Sequence, residues 1–367
     1  MLNVEKGNCC VVFAYDVGLG INLDEAERRI TAMKQRSRIQ HKRRAPHYFE
    51  FRPVPLRVTQ EADPLDLGAH RSGASVDVVL YDFGGVFVAY AITLDGPFSR
   101  LLELSEALYE NAQFLADSRR RVELLLAAIE GAVEKPHISG FVEDYVIYQV
   151  EATSESSDAD AVCATHAGEI AQILRSERRP LSEQEVKDAT SVRISFGADD
   201  ATIIDWDAAL VFGRDMEDVR AVLEFATVEL LEMRYLDHQL DKALDQAYEA
   251  LSKRMETRLR WPGSFEADLR RIARLQVDSA ILFERVTNAL KLLGDQYLAR
   301  VYRLASQRFH LAAWDAGIIR KLQTLDSIYG KMSDQAAARR MELLEWIIII
   351  LIAVSIVISF LPGFTGH

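Results

Sequence analysis

The chain has 367 residues, 49% of them hydrophobic, which is enough for a sizeable core in one elaborate domain or two. Its formal net charge of −12 excludes wholesale electrostatic binding of nucleic acid while leaving room for a local basic patch. Cys9, Cys10 and Cys163 form neither a C-x-x-C pair nor a disulfide framework, and read as reduced, small apolar residues in a reducing compartment.

The opening "MLNVEKGNCC" lacks the basic and apolar regions of a secretory signal and the Arg-rich character of a transit peptide, so the body is expected in the cytosol. "CCVVFAYDV" is a strand-length apolar run, followed by Asn22 as a cap and a helix over "LDEAERRITAMKQ". "HYFEFRPVPLRV" is extended, and its prolines confine it to an edge or irregular strand. "SVDVVLYDF", a Gly84-Gly85 turn and "VFVAYAITL" predict a hairpin, with helices from Phe98 to about Val133 and a strand over "FVEDYVIYQVEA". The polar "TSESSDAD", near residues 152–160, is a candidate linker. A helix is expected from Ala161 to Arg175, and Ser182 with Glu185 has capping-box spacing for another. Strands "DATIID" and "DAALVFG" then lead into a long helix. The two strand, Asp-aromatic turn, strand, helix units echo one another, and the alternation predicts α+β layers with ferredoxin-like hairpin–helix units over residues 1–213.

Residues 214–340 read as helical. Ile272, Leu275, Ser279, Leu282, Val286, Ala289 and Leu293 follow alternating three and four spacing, and so do Ile318, Leu322, Leu325, Tyr329, Met332 and Ala336. With a turn near 306–313 these seams are predicted to pair as an antiparallel coiled coil. Because several seam residues are small or polar, the apolar surface is expected to be completed in a homo-oligomer whose contacts run through residues 216–340.

Residues 341–367 hold the run "WIIIILIAVSIVISFL", apolar on every side of a helix. Its sixteen residues reach about 24 Å against a hydrocarbon thickness of about 30 Å. Flanking residues close that gap if Glu345 lies at the interface, beside Trp346. The expectation is a single-pass anchor formed by Glu345, Trp346, Ile347, Ile348, Ile349, Ile350, Leu351 and Ile352, with Arg339 and Arg340 keeping the body cytoplasmic and the C-terminus outside.

The "RRMELLEWIIIILIAVSIV" tail and the "LYDFGGVFVAY" hairpin resemble the "required for meiotic nuclear division" family. "DATIIDWDAALVF", "VELLEMRYLDHQLDKAL" and "RVTNALKLLGDQYLARVYRLASQRFHLAAW" are similar to its bacterial branch, so that the resemblance spans roughly residue 76 onward. It implies an α/β domain, a coiled-coil region, a C-terminal anchor in the bacterial inner membrane and homo-oligomers, with no catalytic residues to carry over. Eukaryotic relatives include mitochondrial inner-membrane proteins linked to organellar translation. This chain departs from them in its expected lack of a presequence.

No catalytic or metal motif accompanies this frame, and no cofactor is expected. Asp82-Phe83-Gly84 lacks the partner motifs of a kinase, "GLG" at Gly18 lacks those of a phosphate loop, and neither H-E-x-x-H nor G-x-S-x-G occurs. Asp199, Asp200, Asp205 and Asp207 read as a solvated hairpin in preference to a hard-cation site. "KQRSRIQHKRR" places Lys34, Arg36, Arg38, Lys42, Arg43 and Arg44 within eleven residues and without an acid. It reads as a solvated loop, or as a contact for anionic lipid headgroups or RNA phosphates. The function expected from the whole is a tail-anchored, non-enzymatic scaffold that homo-oligomerises and organises a protein partner at the membrane. The alternatives are a ribosome- or RNA-tethering adaptor, and a ligand-binding or enzymatic domain using a cleft between the hairpin units.

Overall fold

A computed structural model describes residues 2–34, 50–51, 53–154, 158–214, 216–256 and 296–360, with short pieces between 273 and 291. Its elements are β1 (Asn3–Asp16), α1 (Leu23–Lys34), β2 (Leu56–Glu61), β3 (His70–Leu80), β4 (Gly85–Pro97), α2 (Ser99–Leu108), α3 (Ala112–Ile129) and β5 (Val142–Thr153). There follow α4 (Ala159–Thr165), α5 (Ala167–Leu174), α6 (Glu183–Ala189), β6 (Arg193–Ile194), β7 (Ala201–Ile204), β8 (Ala208–Phe212), α7 (Glu217–Glu256), α8 (Gln296–Arg308) and α9 (Leu311–Phe360). The protein is thus a mixed α/β chain with an N-terminal sheet and C-terminal helices.

The sheet runs β6-β7-β8-β5-β1-β4-β3-β2, with the short strand Asp66–Leu67 added to β3. Its centre, β5-β1-β4-β3, is antiparallel throughout and has the split βαβ order of a βαββαβ unit. Strand β8 joins β5 in parallel, which requires the long crossover that α4, α5 and α6 supply. The proline-bounded strand β2 lies at the sheet edge, where an absent N–H costs least.

Strand β1 organises the layers because from Cys9 to Asp16 it is buried on both faces. Cys9, Val11, Phe13 and Tyr15 belong to the core beneath α2 and α3, where the Tyr15 hydroxyl lies 2.6 Å from Ser118 Oγ and Tyr90 packs edge-on to Phe114. The alternate residues Cys10, Val12, Ala14 and Asp16 are equally buried and face the other way. Helix α7 covers that second face: Phe225 packs against Tyr81 and Phe83, and Cys10 Sγ approaches Glu224 Oε1 at 3.8 Å.

Local signals explain the element ends. Asn22 Oδ1 accepts from Glu25 N, Asn111 Oδ1 from Gln113 N and Phe114 N, and Ser182 Oγ from Glu185 N, as N-caps do. The helix expected over 161–175 is divided at His166 (φ −108°, ψ 19°), between Thr165, which turns its hydroxyl onto the Ala161 carbonyl, and the weak helix former Gly168. The β3–β4 turn needs glycine at 84: φ is +107°, and a Cβ there would lie 1.8 Å from the Gly18 carbonyl oxygen.

The chain divides into two compact units, residues 1–236 with 281–316, and residues 237–280 with 317–367. The first holds the sheet and its helices. In the second, Lys321 reaches Asp237 at 2.7 Å and Asp241 at 2.6 Å, tying α9 to α7 across two successive turns. Ile318, Leu325 and Met332 are buried at seven-residue spacing and Leu322 is half-buried. The partner seam drawn from Ile272, Leu275, Leu282, Val286 and Leu293 lies outside the described residues.

Replacing Gly84 with alanine forces the turn away from Gly18. Loss of about 3 kcal/mol or more, and a fall in Tm of about 10 °C by thermal denaturation, is the expected outcome.

Candidate functional site

Helix α7 carries three glutamates that are almost fully buried, Glu224, Glu229 and Glu232, and their surroundings differ. Glu224 sits between two guanidinium groups, Arg220 Nε at 3.2 Å and Arg57 Nη2 at 3.5 Å, with Asp77 completing the charge balance on Arg57. Glu229 accepts a 2.7 Å hydrogen bond from the Tyr302 hydroxyl. Glu232 has no donor to either oxygen among the described residues. It faces the last residue of β1, Asp16, which is also fully buried and whose oxygens meet no donor in hydrogen-bond geometry.

Backbone contacts fix this pair. The Asp16 carbonyl accepts from Ser139 N at 2.9 Å and the Val17 carbonyl from His137 N at 3.0 Å, so the strap 135–139 is stitched along the end of β1. Gly85 makes room for α7, since a Cβ there would be 2.6 Å from Val228 and 3.2 Å from Glu232 Oε1. The strap presents His137, whose Nε2 lies 2.9 Å from Asp16 Oδ1 and 2.7 Å from the Tyr235 hydroxyl, while Nδ1 sits 3.1 Å from the Lys135 carbonyl. With Nδ1–H donating to that carbonyl, neutral Nε2 accepts from Tyr235, and protonated Nε2 faces Asp16 as an ion pair. Beside the group, Arg234 pairs with Glu143.

The electrostatics follow from burial. Desolvation, followed by the charge of Asp16, pushes the Glu232 carboxyl well above its ordinary range. Contact with Asp16 raises His137, against the opposing effect of burial. Burial also pushes Glu143 and Glu229 up to about 7, Arg234 and the Tyr302 hydroxyl respectively pulling the other way. The arrangement can store a proton on a carboxyl pair and connect it, through a half-buried imidazole, with solvent.

The residues singled out in the sequence lie elsewhere. Residues 346–358 of α9 are exposed, Ile347 to Ile350 each by 52–56%, with Glu345 exposed beside them. Those thirteen residues reach about 20 Å, and among the described residues no helix is long and apolar enough to cross a membrane. Arg339 and Arg340 lie within α9. Of the basic cluster, Lys34 ends α1, whereas Arg36, Arg38, Lys42, Arg43 and Arg44 lie outside the described residues. The aspartates of the second hairpin do not converge. Asp200 accepts from Phe196 N, Gly197 N and the Tyr297 hydroxyl, and Asp205 is held by Arg175 and Arg308. Among the described residues no group of three His, Cys, Asp or Glu side chains fits a metal ion.

Fold and site together describe an α/β sheet protein with a buried carboxyl pair under its long helix. The family described as "Uncharacterized protein MJ0711, N-terminal domain" matches residues 6–218, and the chain belongs to it. A protein of Methanocaldococcus jannaschii, described as "Uncharacterized protein MJ0711", is 23% identical over 321 residues, covering 85% of this chain and 87% of its own length. No solved structure matches. Asp16 and His137 fall inside the family segment, and Glu232 and Tyr235 beyond it.

Asp16→Asn removes the group that raises His137 and leaves the burial that lowers it. The imidazole, followed by NMR, should then titrate below its wild-type value.

Proposed function

We propose that the protein is a single-span, non-enzymatic membrane scaffold that homo-oligomerises and organises a protein partner at the cytoplasmic membrane face. The observation that carries this reading is the exposed run 346–358, where Trp346 and each isoleucine, leucine and valine leave about half their surface uncovered. Covering such side chains is worth on the order of 1 kcal/mol each, and a bilayer covers all sides of a helix at once. The helical backbone continues to Phe360, and the sequence run to Leu361 lengthens the apolar stretch further. Trp346 and Glu345 suit the boundary, and Arg339 with Arg340 favours a cytoplasmic body. The resemblance of tail and hairpin to the "required for meiotic nuclear division" family points the same way, because it implies an anchor and homo-oligomers.

Deleting residues 346–367 should move the protein from the membrane pellet to the soluble fraction. A truncated chain that still pellets after a carbonate wash overturns the anchor. RNA binding that depends on salt, and on Lys34 and Arg36, Arg38, Lys42, Arg43 and Arg44, would favour the tethering adaptor instead.

Assembly has its own test. Leu282→Asp combined with Leu322→Asp should reduce the native mass to that of a monomer or remove helix by circular dichroism. Retention of both mass and helicity argues against contacts through 216–340.

A further inference from the structure

We propose that Asp16, Glu232, His137 and Tyr235 make up a proton-operated latch, which holds helix α7 on the second face of the sheet while the carboxyl pair keeps a shared proton and loosens when the pair gives it up. The latch does not depend on the membrane reading above. It rests on a contrast within one helix: Glu224 is matched by two arginines and Glu229 by a tyrosine, while Glu232, 1% exposed, faces a carboxyl group that is itself fully buried. Two carboxylates in a dry site cannot both be charged without strong repulsion, so one proton between them is the state compatible with close packing. Gly85 leaves no slack, because Val228 and Glu232 already occupy the space a side chain there would need. Relief of the repulsion therefore has to come from movement of α7.

His137 supplies the route. Its Nε2 touches both Asp16 and Tyr235, and the ring is 37% exposed, so a proton can pass between the buried pair and water without opening the core. The other charged groups on the surrounding elements are accounted for. Lys135 begins the strap and Glu134 precedes it, both with their side chains exposed, Asp82 is half-buried in the β3–β4 turn, and Arg119 of α3 donates to the Ser139 carbonyl. Glu143 of β5 pairs with Arg234 of α7, and burial pushes it up to about 7, as it does Glu229 one turn before Glu232.

The sign is the same for Glu232 and for His137. A carboxyl or imidazole whose pKa is raised in the folded state stabilises that state at low pH, and the contribution drains away as pH rises through the folded value. Each pH unit over which the native pair holds one more proton than the open state changes the opening constant about tenfold.

The test is hydrogen exchange on the full chain at pH 6 and pH 8.5, read as protection factors so that base catalysis of exchange divides out. Amides of residues 224–236 should lose at least about tenfold in protection between the two pH values. Glu232→Gln and Asp16→Asn should each reduce that loss to less than about threefold, and Glu143→Gln should leave it in place. The latch is overturned if wild-type protection does not change, if the loss persists in both Glu232→Gln and Asp16→Asn, or if Glu143→Gln alone abolishes it. Circular dichroism at pH 6 checks that the variants fold. If Glu232→Gln does not, Asp16→Asn carries the comparison. Failure of both to fold at pH 6 also counts against the latch, because a neutral carboxamide should serve where a neutral carboxyl does.

Discussion

From Cys9 onward neither face of β1 reaches water, and the rest of the structure follows from that constraint. From Cys9 to Asp16 every side chain is buried, so helices must lie on both sides of the sheet: α2 and α3 on the Tyr15 face, α7 on the Cys10 face. A sheet dry on both sides tolerates polar groups only when they are matched, since an unmatched buried charge costs several kcal/mol. Helix α7 brings three acids into that layer, and they are matched by three different means: guanidinium groups, a phenol and a proton. Keeping a proton spares Glu232 the cost of an unmatched buried charge.

Much of the sheet can be read from the sequence because its cues are local. The unbroken apolar run at Cys9 declares a strand, Gly84-Gly85 a turn, and Asn22 and Ser182 the starts of helices. The strand order carries no such cue. Nothing in "FVEDYVIYQVEA" says that it will lie between β1 and β8, since the antiparallel and parallel partners both come from more than fifty residues away. The break between α4 and α5 at His166 is equally hard to see, because the residues on either side of Thr165–Gly168 have ordinary helical character.

The site is the least legible part. Asp16, His137, Glu232 and Tyr235 are distant in sequence, and each has an ordinary local explanation: the end of a strand, a loop histidine, a helix acid and a helix aromatic. One signal was present. Glu224 and Glu232 stand eight residues apart on the face of α7 that also carries Val228, and an acid repeating on an apolar stripe is poorly placed unless the fold supplies something to neutralise it. A histidine singled out by its neighbours in space has no counterpart in sequence spacing. The acidic hairpin is conspicuous because its charges are close together, yet Asp200 is already held by backbone donors and Asp205 by two arginines.

The exposed stretch of α9 has a symmetry that the other helices lack. Trp346, Ile347, Ile348, Ile349, Ile350, Leu351 and Ile352 are each exposed by between 52% and 63%, so the cylinder has no preferred side. An insertion of one residue upstream turns everything beyond it by about 100° and advances it by about 1.5 Å. For the stripe at Ile318, Leu325 and Met332 such a turn exchanges a buried face for a wet one, whereas for the cylinder it changes nothing but depth. The same helix therefore keeps strict register in one portion and is indifferent to rotation in the other, and whatever surrounds residues 346–358 senses how far the helix reaches but not which way it faces.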